Sequence, residues 1–429
     1  MQLRDFKNYL NGQAFSILAG VFLFIALSCT SDGDESTTPK YGYIYISNTG
    51  SATVSVIDLN TKKVTKTIDL TEAAGAETGQ SHFISVTKDG TYLWVGERQG
   101  SADGKVLVVD TDSDNVVKTF NVGASIGQHL SHDGKWLFSV SSRKGTVEEY
   151  EGESFDNVIN VFDVEKQEWL GKINHGSAPH VLDTTLDSLT LWTTTAGGGA
   201  LVSYDISGLP ETIPQSPNKS INIFQQLKDR GDIDASVTSV TLHALAVHPN
   251  GRHVIVGSFD TGLTTGGGDV IVDTEEEIIV ARVPGRPHNY DISPDNKYLL
   301  SGESNQPDCE EETYLGNHQH TGLTGPIVRL VDIDALSGAT AKNDPSEEVD
   351  WSTIKISRTI DAGALGGTGG INHQAYDPTG DYIIVAASGA GSGDNGRVLI
   401  VKADDVTTLV ENLEVGKVPH GVVSPGYGR

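Results

Sequence analysis

Cysteine is almost absent from the 429-residue chain, which carries only Cys29 and Cys309. If Cys29 is used at the N-terminus, as argued below, no disulfide can form within the chain even in an oxidising compartment. The fold must then be held together by its core. Methionine (1) and aromatic residues (7%) are also scarce, while glycine is abundant (49). No long apolar run follows the N-terminal segment, so we expect a soluble β-rich body in which only the first segment meets lipid.

Positive charge is also in short supply. Lys and Arg number 30 against 57 Asp and Glu, which gives a net charge of −27. Removal of residues 1 to 28 would take away Arg4, Lys7 and Asp5 and leave about −28. Such a surface repels phosphates, so nucleic acid is excluded as a partner, whereas solubility and the attraction of cations are favoured.

Several common catalytic motifs are missing as well. The chain has no phosphate-binding loop, no Cys-x-x-Cys-His haem site and no zincin motif. The absence of the first two argues against a nucleotide enzyme and a c-type cytochrome. The glycine-rich stretches at 197–199, 266–268 and 366–370 fall in predicted loops and are assigned to turns.

The N-terminus has the organisation of a secretory signal. Arg4 and Lys7 form a positive region, residues 15–27 an apolar stretch, and the sequence Ala-Leu-Ser-Cys ends at Cys29. This end resembles a bacterial lipobox, and the acidic run after it resembles the tag of surface-exported lipoproteins of Bacteroidetes-type bacteria. The resemblance implies a signal peptide at 1–28, lipidation of Cys29, a polar tether at 29–40 and a lipid anchor in the outer membrane, at the cell surface or facing the periplasm. An uncleaved anchor or an ordinary signal peptide is the alternative.

The rest of the chain repeats a unit of about 45 residues or more, each with four short apolar runs and an Asp-Gly or Pro-Asp turn. In the clearest unit, His129 is expected to open the first strand, and residues 136–140, 158–164 and 169–173 form the other three. An aspartate ends most third strands and is expected to cap the following turn. The spacing predicts an all-β, seven-bladed β-propeller of four-stranded antiparallel blades over residues 41–429. Residues 420–424 are expected to pair with the N-terminal sheet and close the ring.

Two segments resemble a known repeat. Residues 45–58 read YISNTGSATVSVID and residues 419–425 read PHGVVSP. They resemble the YVTN repeat of bacterial and archaeal surface propellers. The resemblance specifies the fold strongly and the function poorly, because propellers carry many activities.

Seven histidines recur near the start of the predicted first strands. They are His82, His129, His180, His243, His288, His373 and His420. First strands of a propeller surround the central channel, so the pattern predicts a ring of imidazoles that binds metal. The register is imperfect, because His129 lies three residues before its turn position whereas the others lie five or six before theirs. The other six histidines show no such placement blade by blade.

The donor type indicates the metal. Neutral imidazoles suit Cu, Zn, Fe or Ni, and the equilibrium order of affinities favours Cu. Seven donors exceed the four that one zinc ion takes, so several ions, or a subset of the ring, are implied. A multi-copper cluster could act by redox chemistry on a small inorganic substrate.

One histidine per blade of a seven-bladed propeller resembles the catalytic domain of nitrous oxide reductase and the single-domain thiocyanate dehydrogenase. That resemblance implies that the seven histidines are copper ligands. The chain lacks the cupredoxin domain and the cysteines of nitrous oxide reductase, which argues against nitrous oxide reduction. A single-domain copper oxidoreductase remains the expectation.

Loops that leave the second strands are expected to face the same channel mouth. They place Glu97, Glu303 and His318 as candidate acid/base groups. The long acidic loop at about 302–326, which also holds Cys309 and His320, is interpreted as a lid. The alternative function is a non-catalytic surface propeller that binds a protein or glycan through its broad face and retains no metal.

Overall fold

The computed structural model describes most of the chain after the N-terminal segment. The described residues are 42–74, 80–97, 104–123, 125–141, 154–259, 268–284, 287–303, 326–332, 356–367, 369–389 and 393–426. The predictions for Cys29, Cys309, His318 and His320 therefore lie outside the described residues.

The described strands form seven four-stranded antiparallel sheets, which confirms the seven-bladed propeller. Blade 1 contains β1 (Tyr43–Asn48), β2 (Thr53–Asp58), β3 (Lys63–Asp69) and the last strand, β28 (Pro419–Val423). The short helix α1 (Thr71–Ala74) follows β3. Blade 2 contains β4 (Ser81–Val86), β5 (Tyr92–Glu97), β6 (Lys105–Asp110) and β7 (Val116–Asn121). Blade 3 contains β8 (Ser125–Leu130), β9 (Trp136–Ser141), β10 (Val158–Asp163) and β11 (Glu168–Asn174).

The remaining four blades follow in chain order. Blade 4 contains β12 (Pro179–Thr184), β13 (Thr190–Thr195), β14 (Ala200–Asp205) and β15 (Lys219–Asn222), after which comes α2 (Ile223–Asp229). Blade 5 contains β16 (Thr241–Val247), β17 (His253–Phe259), β18 (Gly268–Asp273) and β19 (Ile278–Pro284). Blade 6 contains β20 (Pro287–Ile292), β21 (Tyr298–Glu303), β22 (Ile327–Asp332) and β23 (Ile356–Asp361). Blade 7 contains β24 (Ile371–Tyr376), β25 (Tyr382–Ala387), β26 (Asn395–Lys402) and β27 (Leu409–Lys417). No helix of the described residues is long and apolar enough to cross a membrane.

The core lies between neighbouring blades. The second strand β5 is buried at five of its six positions, whereas the outer strand β3 alternates between exposed and partly buried residues. A sheet that is covered on both faces needs continuous apolar runs, and an outer strand with one wet face needs alternation. One apolar cluster joins Tyr45 and Val54 of blade 1 to Ile84 and Leu93 of blade 2. Each blade is thus stabilised by the next one around the ring.

The predicted closure is confirmed. β28 pairs antiparallel with β1, with Tyr45 opposite Val423 and Ile46 opposite Val422. The Gly421 amide donates to Ser47 Oγ at 2.8 Å, and Ser424 Oγ donates to the Tyr43 carbonyl at 3.0 Å. The C-terminal strand thereby covers the inner edge of β1, which would otherwise be open to pairing with another chain.

The aspartate caps predicted after the third strands are confirmed in five blades. A backbone amide two or three residues later donates to the carboxylate of Asp58, Asp110, Asp163, Asp205 and Asp273. The turn after Asp332 lies outside the described residues. These carboxylates are therefore accounted for by local structure.

Val422→Asp tests how much stability depends on the closing strand. Val422 is 8% exposed and belongs to the apolar cluster of Ile44 and Ile46, so an aspartate there would bury a carboxylate without a partner. We expect the free energy of unfolding to fall by about 3 kcal/mol. The control Val117→Asp changes a valine that is 49% exposed and should cost less than about 0.5 kcal/mol. Denaturant titration measures both, and equal effects would contradict the assigned role of β28.

Candidate metal site in the central channel

The first, innermost strand of each blade borders a common channel and contacts the first strand of the next blade. In blade 1 this first strand is β28. Most of them are irregular at the same point. In β4, Ser81 pairs with Glu97 and Phe83 with Gly96, so His82 is the extra residue of a bulge. His243 and His288 occupy the same bulge position in β16 and β20. A bulge takes its residue out of the alternation of the strand and re-aims the side chain, here towards the channel.

His180 and His420 lie within the equivalent interruptions of β12 and β28. In β24 the bulge residue is Asn372, and His373 is the next residue. The one-residue offset of His373 in the repeat count therefore has a structural cause.

Six of the seven predicted histidines lie in contact with one another. They are His82, His180, His243, His288, His373 and His420, called the six-histidine cluster below. The ring centroids of His180 and His243 are 4.4 Å apart, and those of His243 and His288 are 4.2 Å apart. His288 lies 6.4 Å from His373 and 6.0 Å from His420, and His373 and His420 are 4.4 Å apart. His82 completes the series at 3.9 Å from His420.

Hydrogen bonds between blades set the tautomer of two members. His243 Nδ1 lies 2.9 Å from the His288 carbonyl, and His288 Nδ1 lies 2.9 Å from the Asn372 carbonyl. A carbonyl oxygen only accepts, so each Nδ1 carries the proton and each Nε2 keeps its lone pair. Metal-binding histidines are commonly oriented by this kind of bond. Asn372 continues the pattern, because its side-chain amide donates to the Pro419 carbonyl at 2.7 Å.

Burial favours the neutral form of four members of the cluster. Loss of hydration holds the pKa of His243, His373 and His420 well below the ordinary value of 6.5, and neighbouring imidazoles act in the same direction. Burial also lowers the pKa of His288. Protons therefore do not compete for these nitrogens at neutral pH.

His129 does not join the six. The expectation that it opens its strand is wrong, because β8 begins at Ser125 and His129 is its fifth residue. Ile126 occupies the bulge position that corresponds to His82. In the sequence, His129 lies about three residues closer to its turn position than the other histidines do to theirs. The structure has the same offset, which corresponds to about 10 Å along a strand.

His129 belongs instead to a second group with His132 and Asp183, called the His/Asp cluster below. Its Nε2 lies 3.4 Å from Asp183 Oδ1 and 3.1 Å from Thr184 Oγ1, and His132 Nε2 lies 3.5 Å from the same carboxylate oxygen. Burial lowers the pKa of His129 to about 4, although the Asp183 carboxylate opposes this shift. Hydrogen bonding and the two imidazoles keep the pKa of Asp183 below its usual value despite burial.

The two candidate acids differ in their surroundings. Glu97 and Glu303 end the second strands of blades 2 and 6 and pair with the residues just before His82 and His288. Glu97 is fully buried, and burial raises its pKa to about 7, against the opposing effects of Ser81 and Lys105. Glu303 instead forms an ion pair with Arg329, with Oε1 2.8 Å from Nε.

A cavity of about 160 Å³ lies in the channel and is lined by the first strands. Phe83 and His373 border it, and the ring of Phe83 is 4.7 Å from that of His82 and 5.3 Å from that of His420. Phe83 therefore contacts the six-histidine cluster and lines the cavity, and His373 of the cluster lines the cavity as well. The His/Asp cluster lines the same cavity.

Sequence reasoning missed Phe83, His132 and Asp183. The spacing His129-x-x-His132 was visible, but its meaning depends on a carboxylate 51 residues later in the next first strand. Asp183 follows His180 by three residues and could have been aligned with His129, since both are fifth residues of first strands.

The fold and the channel define a class, that of seven-bladed β-propellers with an imidazole-lined channel. The family described as "Lactonase, 7-bladed beta-propeller" matches residues 42–222, which contain β1 to β15. No curated protein matches the chain.

Solved structures share the fold at low sequence identity. A protein of unknown function from Desulfotomaculum acetoxidans is 11% identical, with a TM-score of 0.58 over 90% of this chain and 99% of its own. The dihydro-heme d1 dehydrogenase NirN is 13% identical, with a TM-score of 0.55 over 90% of this chain and 76% of its own. Hydrazine synthase of Kuenenia stuttgartiensis is 15% identical, with a TM-score of 0.52 over 80% and 88%. These likenesses establish the fold alone.

Glu97→Gln should change the pH dependence of stability. The folded protein holds a proton on Glu97 up to about pH 7, whereas an unfolded glutamate releases it near 4.5. Between these values the unfolded state binds fewer protons, so the wild type loses stability as the pH rises. We expect Glu97→Gln to match the wild type near pH 4.5 and to be more stable by up to about 3 kcal/mol above pH 7. Denaturant titrations at several pH values measure this, and a difference that does not vary with pH would contradict it.

Proposed function

We propose that the six-histidine cluster binds copper, as a multinuclear site, and that the protein is a single-domain copper oxidoreductase acting on a small inorganic substrate. The observation that carries the proposal is a contiguous set of six buried or partly buried imidazoles at one end of the channel, with ring centroids of neighbouring members 3.9 to 6.4 Å apart.

The donor set fits copper. Imidazoles that are neutral at pH 7 bind first-row transition metals without first losing a proton, and copper is the most tightly bound of the divalent ions. Six donors exceed the needs of one tetrahedral ion, which favours more than one copper. Bound copper would supply one-electron redox chemistry at this end of the channel.

The chain's own residues would orient and enclose that site. The carbonyls of His288 and Asn372 hold two imidazoles with Nε2 available, and Phe83 packs against the rings of His82 and His420. Glu97, with a pKa of about 7, is matched to giving and taking protons near neutral pH. Glu303 is paired with Arg329, which favours its charged form, so Glu97 is the better candidate for proton transfer.

Metal analysis tests the copper site. We expect the purified full-length protein, produced with copper supplied, to retain two or more copper ions per chain. Replacement of His243 and His420 together by alanine should remove at least one, because both imidazoles lie inside the contact series of the cluster. The control His175→Ala removes an imidazole that bonds Tyr204 outside the cluster, with Nδ1 2.8 Å from the hydroxyl oxygen, and should leave the copper content unchanged.

Absence of copper from the wild type would overturn the redox proposal. The remaining function would be the non-catalytic surface propeller that binds a protein or glycan. If the double variant retains as much copper as the wild type, the metal binds outside the six-histidine cluster.

We also propose that Cys29 is lipidated and anchors the propeller in the outer membrane. The support is the signal-like segment that ends at Cys29 and the acidic tether after it. Cys29→Ser should abolish incorporation of labelled fatty acid and release the protein from the membrane fraction. Cys309→Ser, which removes the other thiol of the chain, is the matched control and should change neither. Retained label in Cys29→Ser would contradict the anchor.

A further inference from the structure

We propose that His129, His132 and Asp183 form a second metal site, separate from the six-histidine cluster, that binds one zinc-type divalent ion. The three donor atoms, two imidazole nitrogens and one carboxylate oxygen, all lie within 4.8 Å of one another. They come from two adjacent blades, since His129 and His132 belong to blade 3 and Asp183 to blade 4.

The geometry suits a tetrahedral ion. Ligands about 2.0–2.2 Å from zinc stand about 3.3–3.6 Å apart along the edges of a tetrahedron. The two imidazole-to-carboxylate distances, 3.4 and 3.5 Å, fall in that range. His132 lies in the turn after β8, where a change of side-chain torsion can bring its nitrogen closer to that of His129.

The carboxylate is already held in place. Asp183 Oδ2 accepts from the Val247 amide of blade 5 at 2.7 Å, and Oδ1 accepts from the Thr184 amide at 2.8 Å. Bonds of this kind orient a ligand before the ion arrives. Thr184 Oγ1, 3.1 Å from His129 Nε2, is a hydroxyl that can rotate aside.

A purely structural role explains only part of this arrangement. Asp291 is the fifth residue of β20, as Asp183 is of β12, and accepts from the Tyr376 amide of the next blade at 2.7 Å. A bridge between blades therefore accounts for one oxygen of each aspartate. The positions in blade 5 that correspond to His129 and His132 are Ala246 and Pro249, which offer no side-chain ligand. The two imidazoles are thus an addition to the bridge at Asp183.

The fourth coordination position of the ion would face the cavity. His129, His132 and Asp183 all line it. Three protein ligands and one open position are the arrangement of zinc sites that bind water or a small ligand, whereas structural zinc sites are closed by four protein ligands. The class of ligand is therefore water or a small anion or carbonyl compound that fits a cavity of about 160 Å³.

Zinc and cobalt binding to the full-length protein tests the site. The protein is stripped with chelator and compared with Asp183→Asn, His132→Gln and the matched control Asp291→Asn. Asparagine can still accept the bond from the next blade, so fold and bridge are kept while the anionic ligand is lost. We expect Asp183→Asn and His132→Gln each to bind one zinc ion fewer than the wild type and to lose the visible bands of tetrahedral Co²⁺. Asp291→Asn should bind as the wild type does.

Equal zinc stoichiometry in all four proteins would overturn the proposal, as would an equal loss in Asp291→Asn. If Asp183→Asn does not fold, His132→Gln decides, because it leaves both bonds of Asp183 to backbone amides intact. The copper content of these variants should be unchanged, since the six-histidine cluster is untouched. Failure of this second site is therefore distinguishable from failure of the copper proposal.

Discussion

Pairing of β28 with β1 is the contact on which the channel depends. Residues at the two ends of the described chain, 374 positions apart, are joined there by the bond from the Gly421 amide to Ser47 Oγ. Without it the first strand of blade 1 would be missing and the ring would have a gap. His420 lies on that strand and contacts His82, His288 and His373, so closure also brings the six-histidine cluster together. The same interaction stabilises the fold and assembles the site.

The channel has two levels because each first strand offers side chains at two separate points. The irregular pairing near its beginning, or in blade 7 the residue directly after it, supplies the six-histidine cluster. The fifth residue supplies His129 in blade 3 and Asp183 in blade 4. Strand geometry separates the two levels by about 10 Å. Phe83, directly after the bulge of blade 2, contacts His82 and His420 and lines the cavity that the His/Asp cluster also lines. One repeated element can thus carry two sites of different chemistry, one of nitrogen donors only and one that includes a carboxylate.

The repeat made the architecture predictable. Alternation of apolar runs and turn residues located the second and third strands, and the pairing of residues 420–424 with the first sheet followed from counting strands. The position of a histidine relative to its turn also located six channel residues. The prediction failed for His129, which was included in the ring although the count had placed it three positions closer to its turn than the bulge residues. Only the pairing of β8 with β9 shows that Ile126 holds the bulge position of β8.

The His/Asp cluster and the pKa of Glu97 were beyond a reading of the sequence for a different reason. Asp183 lies in a different blade from His129, and only packing of β8 against β12 brings their side chains together. That packing is close: a Cβ on Gly127 would lie 1.9 Å from the His180 carbonyl oxygen, so the strand needs glycine there. Likewise, the sequence does not distinguish Glu97 from a glutamate that is exposed to solvent. Its raised pKa arises from burial within blade 2. Contacts between blades are a property of the closed ring.

Burial of so many imidazoles is costly unless something compensates. Polar groups out of water need partners, and a partly satisfied polar network is less favourable than an apolar one. Carbonyls of neighbouring blades satisfy Nδ1 of His243 and His288. The buried Nδ1 of His420 has no hydrogen-bond partner among the described residues. The ring centroid of His420 nevertheless lies within 6.0 Å of the centroids of three other imidazoles. A core built for stability alone would fill this space with apolar side chains, as the clusters between the blades do. The grouping of six imidazoles in one place is therefore not explained by packing, and this is the physical argument for the proposed ligand of the six-histidine cluster.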